Sequence, residues 1–347
     1  MISRDCFFIA IDNALICWDF KRHKQYQLSV EHAHRLISLI YDQSCSDSSD
    51  AVAEDLKRCK VMLDSPGCEN DWGWDVLSRI FHIGTKDIVP ENQPAGEHEW
   101  AVQYLEHCND VLSEASPVEN SWGVGGGIQL PGFCAADEFD EVLARRATAR
   151  AFYHSPISIA ELGRILHHTL GFVEGRVLSN QQGGVEQFSK RRSSPSAGGL
   201  NATEGYVYVA NVEGLEPGIY YYDPHRHQVH WRSHLAPKLG DLLSGQHFAN
   251  DIPVGLFLTS RFDKLWWKYE HSRAYRMALI EVGHVAQTFQ LAATNGGMST
   301  WLTGALNESS IESLLNLENS DEQVIFFVGC GYSDGSAIPS CLKSLLK

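Results

Sequence analysis

The sequence predicts an α+β fold, on three observations. Short runs of alternating aromatic and β-branched residues, such as Gly205–Val209, are typical of β-strands. Two such runs, Gly218–Tyr222 and Gln228–Arg232, flank a turn and predict an antiparallel hairpin. Tyr275–Thr294 is long and mostly apolar, which predicts a central helix. Helices that alternate with hairpin-forming strands favour an α+β sandwich.

The chain up to about residue 110 predicts a separate, small winged-helix-like α/β module. Two strand patterns lie on either side of Asn13. Ser29 is a helix N-cap, and apolar residues follow it at helical spacing. Ala51–Met62 and Trp74–Ile83 predict two further helices. Two strands and three helices of these lengths suit a module of that kind.

Residues 111–131 predict a linker between this module and a second domain at 132–347. Ser113–Ser121 is polar, and the glycine-rich run Trp122–Gly127 follows it. A glycine run binds a dinucleotide only when it directly follows a strand, and here the polar loop Glu114–Pro117 stands in that place. We therefore interpret the glycine run as part of the linker.

The second domain contains further helix and strand patterns. Phe139–Arg146 predicts its first helix, and Ser158 caps a second helix that ends at Gly171. Val254–Thr259 predicts a buried strand, and Gln323–Val328 predicts the last strand of the chain. Together with the hairpin and the long apolar helix, these elements complete the predicted sandwich.

The composition limits the possible classes of function. The 347 residues carry a formal net charge of −15, which argues against a nucleic-acid surface and a polybasic membrane patch. Positive charge is local, at Arg145–Arg150 and Lys190–Arg192, and suits a small anion such as a phosphate monoester. The nine cysteines include no Cys-x-x-Cys pair, which predicts no metal site and a reducing cytosol. No apolar run approaches the roughly 20 residues that span a bilayer. We expect a soluble, cytoplasmic protein.

A loop of very small residues is the feature around which the chain is organised. It consists of Pro195, Ser196, Ala197, Gly198 and Gly199. So little side-chain volume lets the backbone approach a flat ligand and offer N–H and hydroxyl donors to it. Composition alone favours an ordinary surface turn before a strand equally well.

Upstream of this loop, two arginines flank a hydroxyl residue. Arg146, Thr148 and Arg150 could bind a phosphate, because guanidinium groups are permanently charged and donate paired hydrogen bonds. Two surface arginines at helical spacing are the simpler interpretation when the motif is taken alone.

Taken in order, four stretches resemble the landmarks of the nitroreductase-like flavin enzymes over roughly residues 125–335. They are Arg146–Phe152, Pro195–Gly199, Glu281–His284 and the glycine pair that begins at Gly296. The loop resembles most closely that of SagB-type and McbC-type dehydrogenases, which oxidise azoline rings in peptides. The resemblance implies a nitroreductase-like FMN sandwich domain and a homodimer with the flavin at the subunit interface.

The resemblance also implies roles for individual residues. Arg146, Thr148 and Arg150 match positions that hold the FMN phosphate and ribityl chain, although Thr148 stands where serine is usual. The small-residue loop matches the segment that lies against the flavin. Backbone N–H groups at Thr303 and Gly304 match those that face flavin N5 and O4, where negative charge develops on reduction.

Glu281 is a carboxylate on the apolar helix. An interior carboxylate needs a partner, so we expect Glu281 to pair with an arginine or a backbone amide. The resemblance places it near the flavin or the dimer contact, in a structural role.

The most discriminating pair is Lys268-Tyr269, within Trp266–Glu270. It resembles the catalytic Lys-Tyr signature of azoline dehydrogenases, which generic nitroreductases lack. Aromatising an azoline ring removes a proton from the α-carbon and a hydride from the ring methylene, so the reaction needs a base. A lysine partly desolvated beside two tryptophans, next to a tyrosine that it activates, suits that role. A lysine that merely covers a core tyrosine is the alternative.

The resemblance therefore implies an FMN-dependent dehydrogenase that oxidises thiazoline or oxazoline rings in a ribosomally synthesised peptide, with dioxygen as the final oxidant. Its expected partners are the heterocyclised peptide and a cyclodehydratase complex. Three alternatives stay open: an NAD(P)H-dependent nitroreductase or flavin reductase, an oxidase of a carrier-bound heterocycle, and a non-catalytic subunit that presents the peptide. The module at 1–110 is either a leader-peptide binder, as the resemblance implies, or a dimer-stabilising extension.

Overall fold

The architecture is that of a computed structural model, which describes residues 1–41, 50–65, 72–88, 92–113, 127–132, 134, 137–175, 190–235, 237–317 and 319–346. These residues include helices and two separate antiparallel sheets, so the predicted α+β class is confirmed. Across the same ranges, no helix combines the length and the hydropathy needed to cross a bilayer.

A three-stranded antiparallel sheet opens the chain, with strands β1 Cys6–Ile11, β2 Ala14–Asp19 and β3 Lys24–Leu28. The two strands predicted around Asn13 are confirmed. The sequence does not reveal β3, because Tyr26 and Leu28 are its only apolar residues and both are merely half-buried.

The helices described after this sheet are α1 Val30–Tyr41, α2 Ala51–Arg58, α3 Val76–Gly84 and α4 Glu97–Ser113. The first begins directly after Ser29, as predicted, and the second is shorter than predicted. The third begins later than predicted because Asp75 is its N-cap. Helix α4 is missed by the sequence: Ala101 is its one fully buried residue among those described, so it has no clear apolar stripe.

The larger sheet has six antiparallel strands among the described residues, in the order β6-β5-β4-β7-β9-β8. They are β4 Thr203–Val209, β5 Gly218–Asp223, β6 Gln228–Ser233, β7 Val254–Arg261, β8 Ser299–Thr303 and β9 Glu322–Gly331. The predicted hairpin is β5–β6, and the predicted buried strand is β7. The edge strand β8 follows a glycine pair and is missed by the sequence because it is only five residues long.

Helices cover both faces of this sheet. They are α5 Glu138–Arg145, α6 Ile159–Leu170, α7 Leu239–Leu242, α8 Phe262–Lys268, α9 Arg273–Asn295, α10 Glu308–Leu315 and α11 Ser340–Leu345. The predicted cap at Ser158 is confirmed as a capping box with Glu161. Helix α9 is the predicted central helix: its Val282 and Phe289 are buried on one sheet face against residues such as Leu256.

The second half of the predicted N-terminal module packs against the larger sheet's domain. Trp72 and Trp74 share a buried cluster with Phe262 and Tyr275. Trp100 of α4 lies against Phe248, with ring centroids 5.0 Å apart. The boundary near residue 110 stays a prediction, and most of the predicted linker, 114–126, lies outside the described residues.

Candidate active site

The small-residue loop adopts a backbone that requires glycine. Ala197–Gly199 form one 3₁₀ turn, with φ of 58° at Gly198 and 72° at Gly199. A Cβ at Gly198 would collide with the Lys268 ammonium and the Tyr269 hydroxyl. A Cβ at Gly199 would collide with the neighbouring Arg191 guanidinium. The loop is therefore small because polar side chains pack directly on its backbone.

Glu281 holds this loop from helix α9. Its side chain is 3% exposed, and both carboxylate oxygens accept hydrogen bonds. One accepts from the Ser196 hydroxyl at 2.7 Å and the Ala197 amide at 3.3 Å. The other accepts from the Thr203 amide at 3.0 Å and the Thr203 hydroxyl at 3.2 Å. Of the two expected kinds of partner, an arginine or a backbone amide, the structure shows backbone amides, one in the loop and one at the start of β4.

Lys268 and Tyr269 lie against the loop, although 70 residues separate Lys268 from Gly198 in sequence. The Lys268 ammonium donates to the Gly198 carbonyl at 3.2 Å and lies 5.7 Å from the Tyr269 ring centroid. Lys268 is exposed, and Trp267 beside it is 64% exposed. The predicted desolvation of this lysine by two tryptophans is therefore wrong for the single chain, because only Trp266 turns into the core.

An open cleft of about 590 Å³ runs along the loop and includes Arg192 in its lining. Arg192 is 5% exposed, and its Nη1 donates to the Thr203 carbonyl at 2.5 Å. Its Nε is buried and, in the part of the chain that the structure describes, has no hydrogen-bond partner. Burial lowers the pKa of this guanidinium. The carboxylates of Glu204 and Glu281 act against this shift and compensate part of the buried charge.

The arginine motif lies beside strand β8 as extended backbone. Helix α5 ends before Arg146, and Thr148 forms a parallel bridge with Thr300. The interpretation as surface arginines at helical spacing is therefore wrong. The side chains of Arg146 and Thr148 have no hydrogen-bond partner within the described ranges. Arg150, in contrast, donates to the Ala337 carbonyl at 3.0 Å.

Thr303 and Gly304 end the same edge strand. The Thr303 hydroxyl accepts from Gln246 Nε2 at 3.1 Å and from the Ala305 amide at 3.0 Å. Gly304 is exposed, and no described residue accepts a hydrogen bond from its amide. As far as the described residues go, this N–H is available to a ligand atom at the edge of the sheet.

The predicted residues thus form two groups. The edge group lies along β8 and comprises Arg146, Thr148, Arg150, Thr303 and Gly304. The loop group lies at the start of β4 and comprises Pro195, Ser196, Ala197, Gly198, Gly199, Lys268, Tyr269 and Glu281.

The register of the sheet separates the Arg146–Thr148 motif of the edge group from the loop group. Thr300 pairs with Cys330, Cys330 with Val254, and Val254 with Val209, the last residue of β4. The loop group begins at the other end of β4, near Thr203. Val209 and Thr203 are six residues apart, which corresponds to roughly 20 Å along the strand. The step from β8 to β4 crosses three strand spacings, which corresponds to about 14 Å across the sheet. The Arg146–Thr148 motif and the loop therefore lie at opposite corners of one chain's sheet.

Sequence reasoning missed one contact of this site. The indole N–H of Trp74 donates to the Tyr269 carbonyl at 2.8 Å, across 195 residues of sequence. The signal that could have found it is Trp72-Gly73-Trp74, in which a glycine separates two large aromatic residues. Gly73 is needed because a Cβ there would collide with the Trp266 ring.

A central helix packs on the antiparallel sheet, and the small-residue loop lies at one end of that sheet. The family match assigns this arrangement to the oxidoreductases of the nitroreductase type. The chain belongs to the Nitroreductase family, whose model matches residues 143–332. The predicted resemblance to nitroreductase-like enzymes is thereby confirmed for most of the second domain.

Individual proteins agree with this assignment. The chain is 30% identical over 195 residues to MJ1384 of Methanocaldococcus jannaschii, a nitroreductase by name, covering 55% of this chain and 90% of that protein. It is 29% identical over 134 residues to the trifolitoxin-processing protein TfxB of Rhizobium leguminosarum bv. trifolii. That match covers 37% of this chain and only 36% of TfxB.

A solved structure shares the fold over a larger part of the chain. A chain of the E. coli microcin synthetase McbBCD complex with truncated pro-MccB17 bound superposes with a TM-score of 0.54. The identity is 21%, and the match covers 75% of this chain and 92% of that chain. The shared fold thus extends beyond the region that the family model matches.

Proposed function

We propose that this protein is an FMN-dependent dehydrogenase that oxidises thiazoline or oxazoline rings to thiazole or oxazole in a ribosomally synthesised peptide. The single observation that carries the proposal is the contact of Lys268 and Tyr269 with Gly198. A candidate base thus lies on the loop that the family resemblance assigns to the flavin. A nitroreductase that takes hydride from a nicotinamide and passes it to an acceptor needs no such base.

The donors that have no partner among the described residues fit FMN. Arg146 and Thr148 would hold its phosphate, because a guanidinium and a hydroxyl that no described residue pairs with can both donate to phosphate oxygens. The Gly304 amide, from which no described residue accepts, would donate to the ring edge, and the loop with Arg192 would lie against the ring system. When bound, FMN supplies a two-electron acceptor that takes up a hydride.

Residues of the chain itself would accept the proton that leaves the azoline ring. Oxidation of an azoline removes the α-carbon proton as H⁺ and a hydride from the ring methylene. A double bond then forms between the α-carbon and the former methylene carbon. We assign the proton to the Lys268–Tyr269 pair, in which the amine lies 5.7 Å from the phenol ring centroid. The Gly198 carbonyl orients the ammonium, and Glu281 holds the loop that carries this carbonyl.

The separation of the two groups supports a homodimer. One FMN molecule is too short to reach both the Arg146–Thr148 motif and the loop of the same chain, because they lie at opposite corners of the sheet. We therefore propose that the edge group of one subunit and the loop group of its partner form each site. The two subunits would then contain two such sites.

The partners follow from the same proposal. TfxB is named a trifolitoxin-processing protein, and McbBCD is a microcin synthetase complex with truncated pro-MccB17 bound. We propose a heterocyclised peptide as the substrate, a cyclodehydratase complex as the partner and the cytoplasm as the place of reaction. The three-stranded sheet with α1 and α2 would contact the leader part of the peptide.

A second candidate is an NAD(P)H-dependent nitroreductase. The observation that favours it is the similarity to MJ1384, which spans 90% of that protein. The two functions differ in a direct assay. The purified protein is reconstituted with FMN and given either a cyclised peptide or NADPH with a nitroaromatic. Loss of two hydrogens per ring supports the first function, whereas steady NADPH oxidation without any change of the peptide supports the second.

A further inference from the structure

The indole of Trp74 touches the backbone of the candidate catalytic pair. Trp74 is 7% exposed, and its N–H donates to the Tyr269 carbonyl at 2.8 Å. Tyr269 is the C-cap of α8, with φ of −124° and ψ of 100°. Its carbonyl lies past the end of the helix, where a donor from elsewhere in the chain is needed to fix the peptide group.

Packing fixes the indole that supplies this donor. The Trp74 ring lies 5.5 Å from that of Trp266 at an interplanar angle of 89°, and 5.8 Å from that of Phe262. The next residue, Asp75, accepts a hydrogen bond from Ser272, which follows Lys268 and Tyr269 in the chain. This bond lowers the pKa of the Asp75 carboxyl group. Residues 73–75 therefore run along the whole segment 266–272.

On the side away from this contact, Lys268 is exposed and Tyr269 is half-buried. On that side their contact is with the Gly198 backbone. The segment that carries the pair is thus held between the Trp74 indole and the loop. The Tyr269 amide stays bonded to the Leu265 carbonyl at 2.9 Å, and among the described residues the Trp74 indole is the donor to the Tyr269 carbonyl.

We infer that Trp74 is a positioning residue for Lys268 and Tyr269, so that the N-terminal part of the chain completes the site. This inference rests on the proposed function. Loss of the indole N–H releases the Tyr269 carbonyl at the end of α8, which lets the segment that carries the pair shift relative to the loop. Small misplacements of reacting groups cost large factors in rate.

The chain offers a matched control for the test. Trp72 lies in the same cluster, is 6% exposed, and donates its indole N–H to Ser78 at 2.9 Å instead of to the catalytic segment. Trp74→Phe and Trp72→Phe each remove one buried indole N–H and keep an aromatic ring. Both variants are compared with the wild type as full-length, FMN-loaded protein, in ring oxidation and in hydrogen–deuterium exchange of the backbone.

We expect Trp74→Phe to lower kcat about tenfold at unchanged KM and to speed exchange in residues 267–270. Trp72→Phe should keep kcat within about twofold of the wild type, at a similar loss of melting temperature. Equal losses of kcat in the two variants would overturn the inference. If the wild type does not oxidise the ring, the proposed function fails. The exchange measurement does not depend on that activity, and unchanged exchange at 267–270 in Trp74→Phe would overturn the positioning role by itself.

Discussion

The Thr203 amide donates to the Glu281 carboxylate at 3.0 Å, which joins the central helix α9 to the first residue of β4. The other oxygen of the same carboxylate holds Ser196 and Ala197. Each oxygen therefore accepts from a backbone N–H, and neither can be replaced by a donor without repulsion.

Glu281→Gln should therefore destabilise the protein, because its amide NH₂ must face one of these backbone donors. We expect a loss of about 1–3 kcal/mol in the free energy of unfolding, the usual cost of leaving a buried polar group unpaired. Urea denaturation measures it. Glu270→Gln, at an exposed position, is the control and should change stability little. Equal stability of the two variants would show that the Glu281 contacts carry no net energy.

Lys268→Ala and Tyr269→Phe should each remove ring oxidation and keep the yellow cofactor bound. We expect a fall in kcat of at least about 100-fold, the usual contribution of a general base. Lys238→Ala, which removes an exposed lysine before α7, should leave kcat unchanged. Rapid-quench assays of the cyclised peptide provide the rates, and wild-type turnover in either site variant would contradict the assignment of the pair as the base.

Arg146→Ala should weaken the retention of FMN. Loss of a charge-assisted hydrogen bond to phosphate costs about 1.5–3 kcal/mol, so the dissociation constant should rise roughly 10- to 100-fold. The neighbouring Arg145 is exposed at the end of α5, and its Nε donates to the Glu141 backbone carbonyl at 3.4 Å, so Arg145→Ala is the matched control. Fluorescence titration with FMN distinguishes them, and identical constants for the two variants would refute the phosphate role.

The separation of the edge and loop groups predicts complementation between subunits. The Arg146→Ala homodimer is expected to lack activity at FMN concentrations below its raised dissociation constant, and the Lys268→Ala homodimer is expected to lack it at any FMN concentration. In mixed dimers, one of the two sites combines an intact Arg146 with an intact Lys268 from different chains. Random exchange of subunits should then restore about a quarter of the wild-type activity. No recovery after verified subunit exchange would mean that each chain forms its own site.

The buried imidazole of His82 should make the stability of the protein depend on pH. It is buried between Tyr275 and Gln323, and burial lowers its pKa to about 4 from an ordinary value of 6.5. Because the unfolded chain takes up this proton first, stability should fall as the pH drops from 6.5 towards 4, by up to about 3 kcal/mol. His82→Gln should remove this part of the decline. His34→Gln, at an exposed position, should keep it, and parallel curves for all three proteins would contradict the assignment.

Elements with strong local patterns could be predicted from the sequence. Helix α9, the β5–β6 hairpin and the cap at Ser158 depend on periodicity and on residues close in sequence. Strand β8 and helix α4 could not be predicted, because β8 is short and α4 buries little of its surface. Their positions depend on contacts with distant parts of the chain.

The same distinction holds for the candidate site. The expectation of a backbone partner for Glu281 needed only the rule that buried carboxylates are paired. The division into an edge group and a loop group depends on the register of four strands, which residue types do not reveal. The contact of Trp74 with Tyr269 spans 195 residues and has no local pattern that specifies it.

The most direct test of the central proposal is the mass of a cyclised azoline peptide after incubation with the FMN-loaded wild-type protein in air. The proposed chemistry predicts a loss of two hydrogens for every ring oxidised, and no loss with the Lys268→Ala variant. An unchanged peptide mass with the wild-type protein and its cyclodehydratase partner, under conditions in which the flavin is bound, would contradict it.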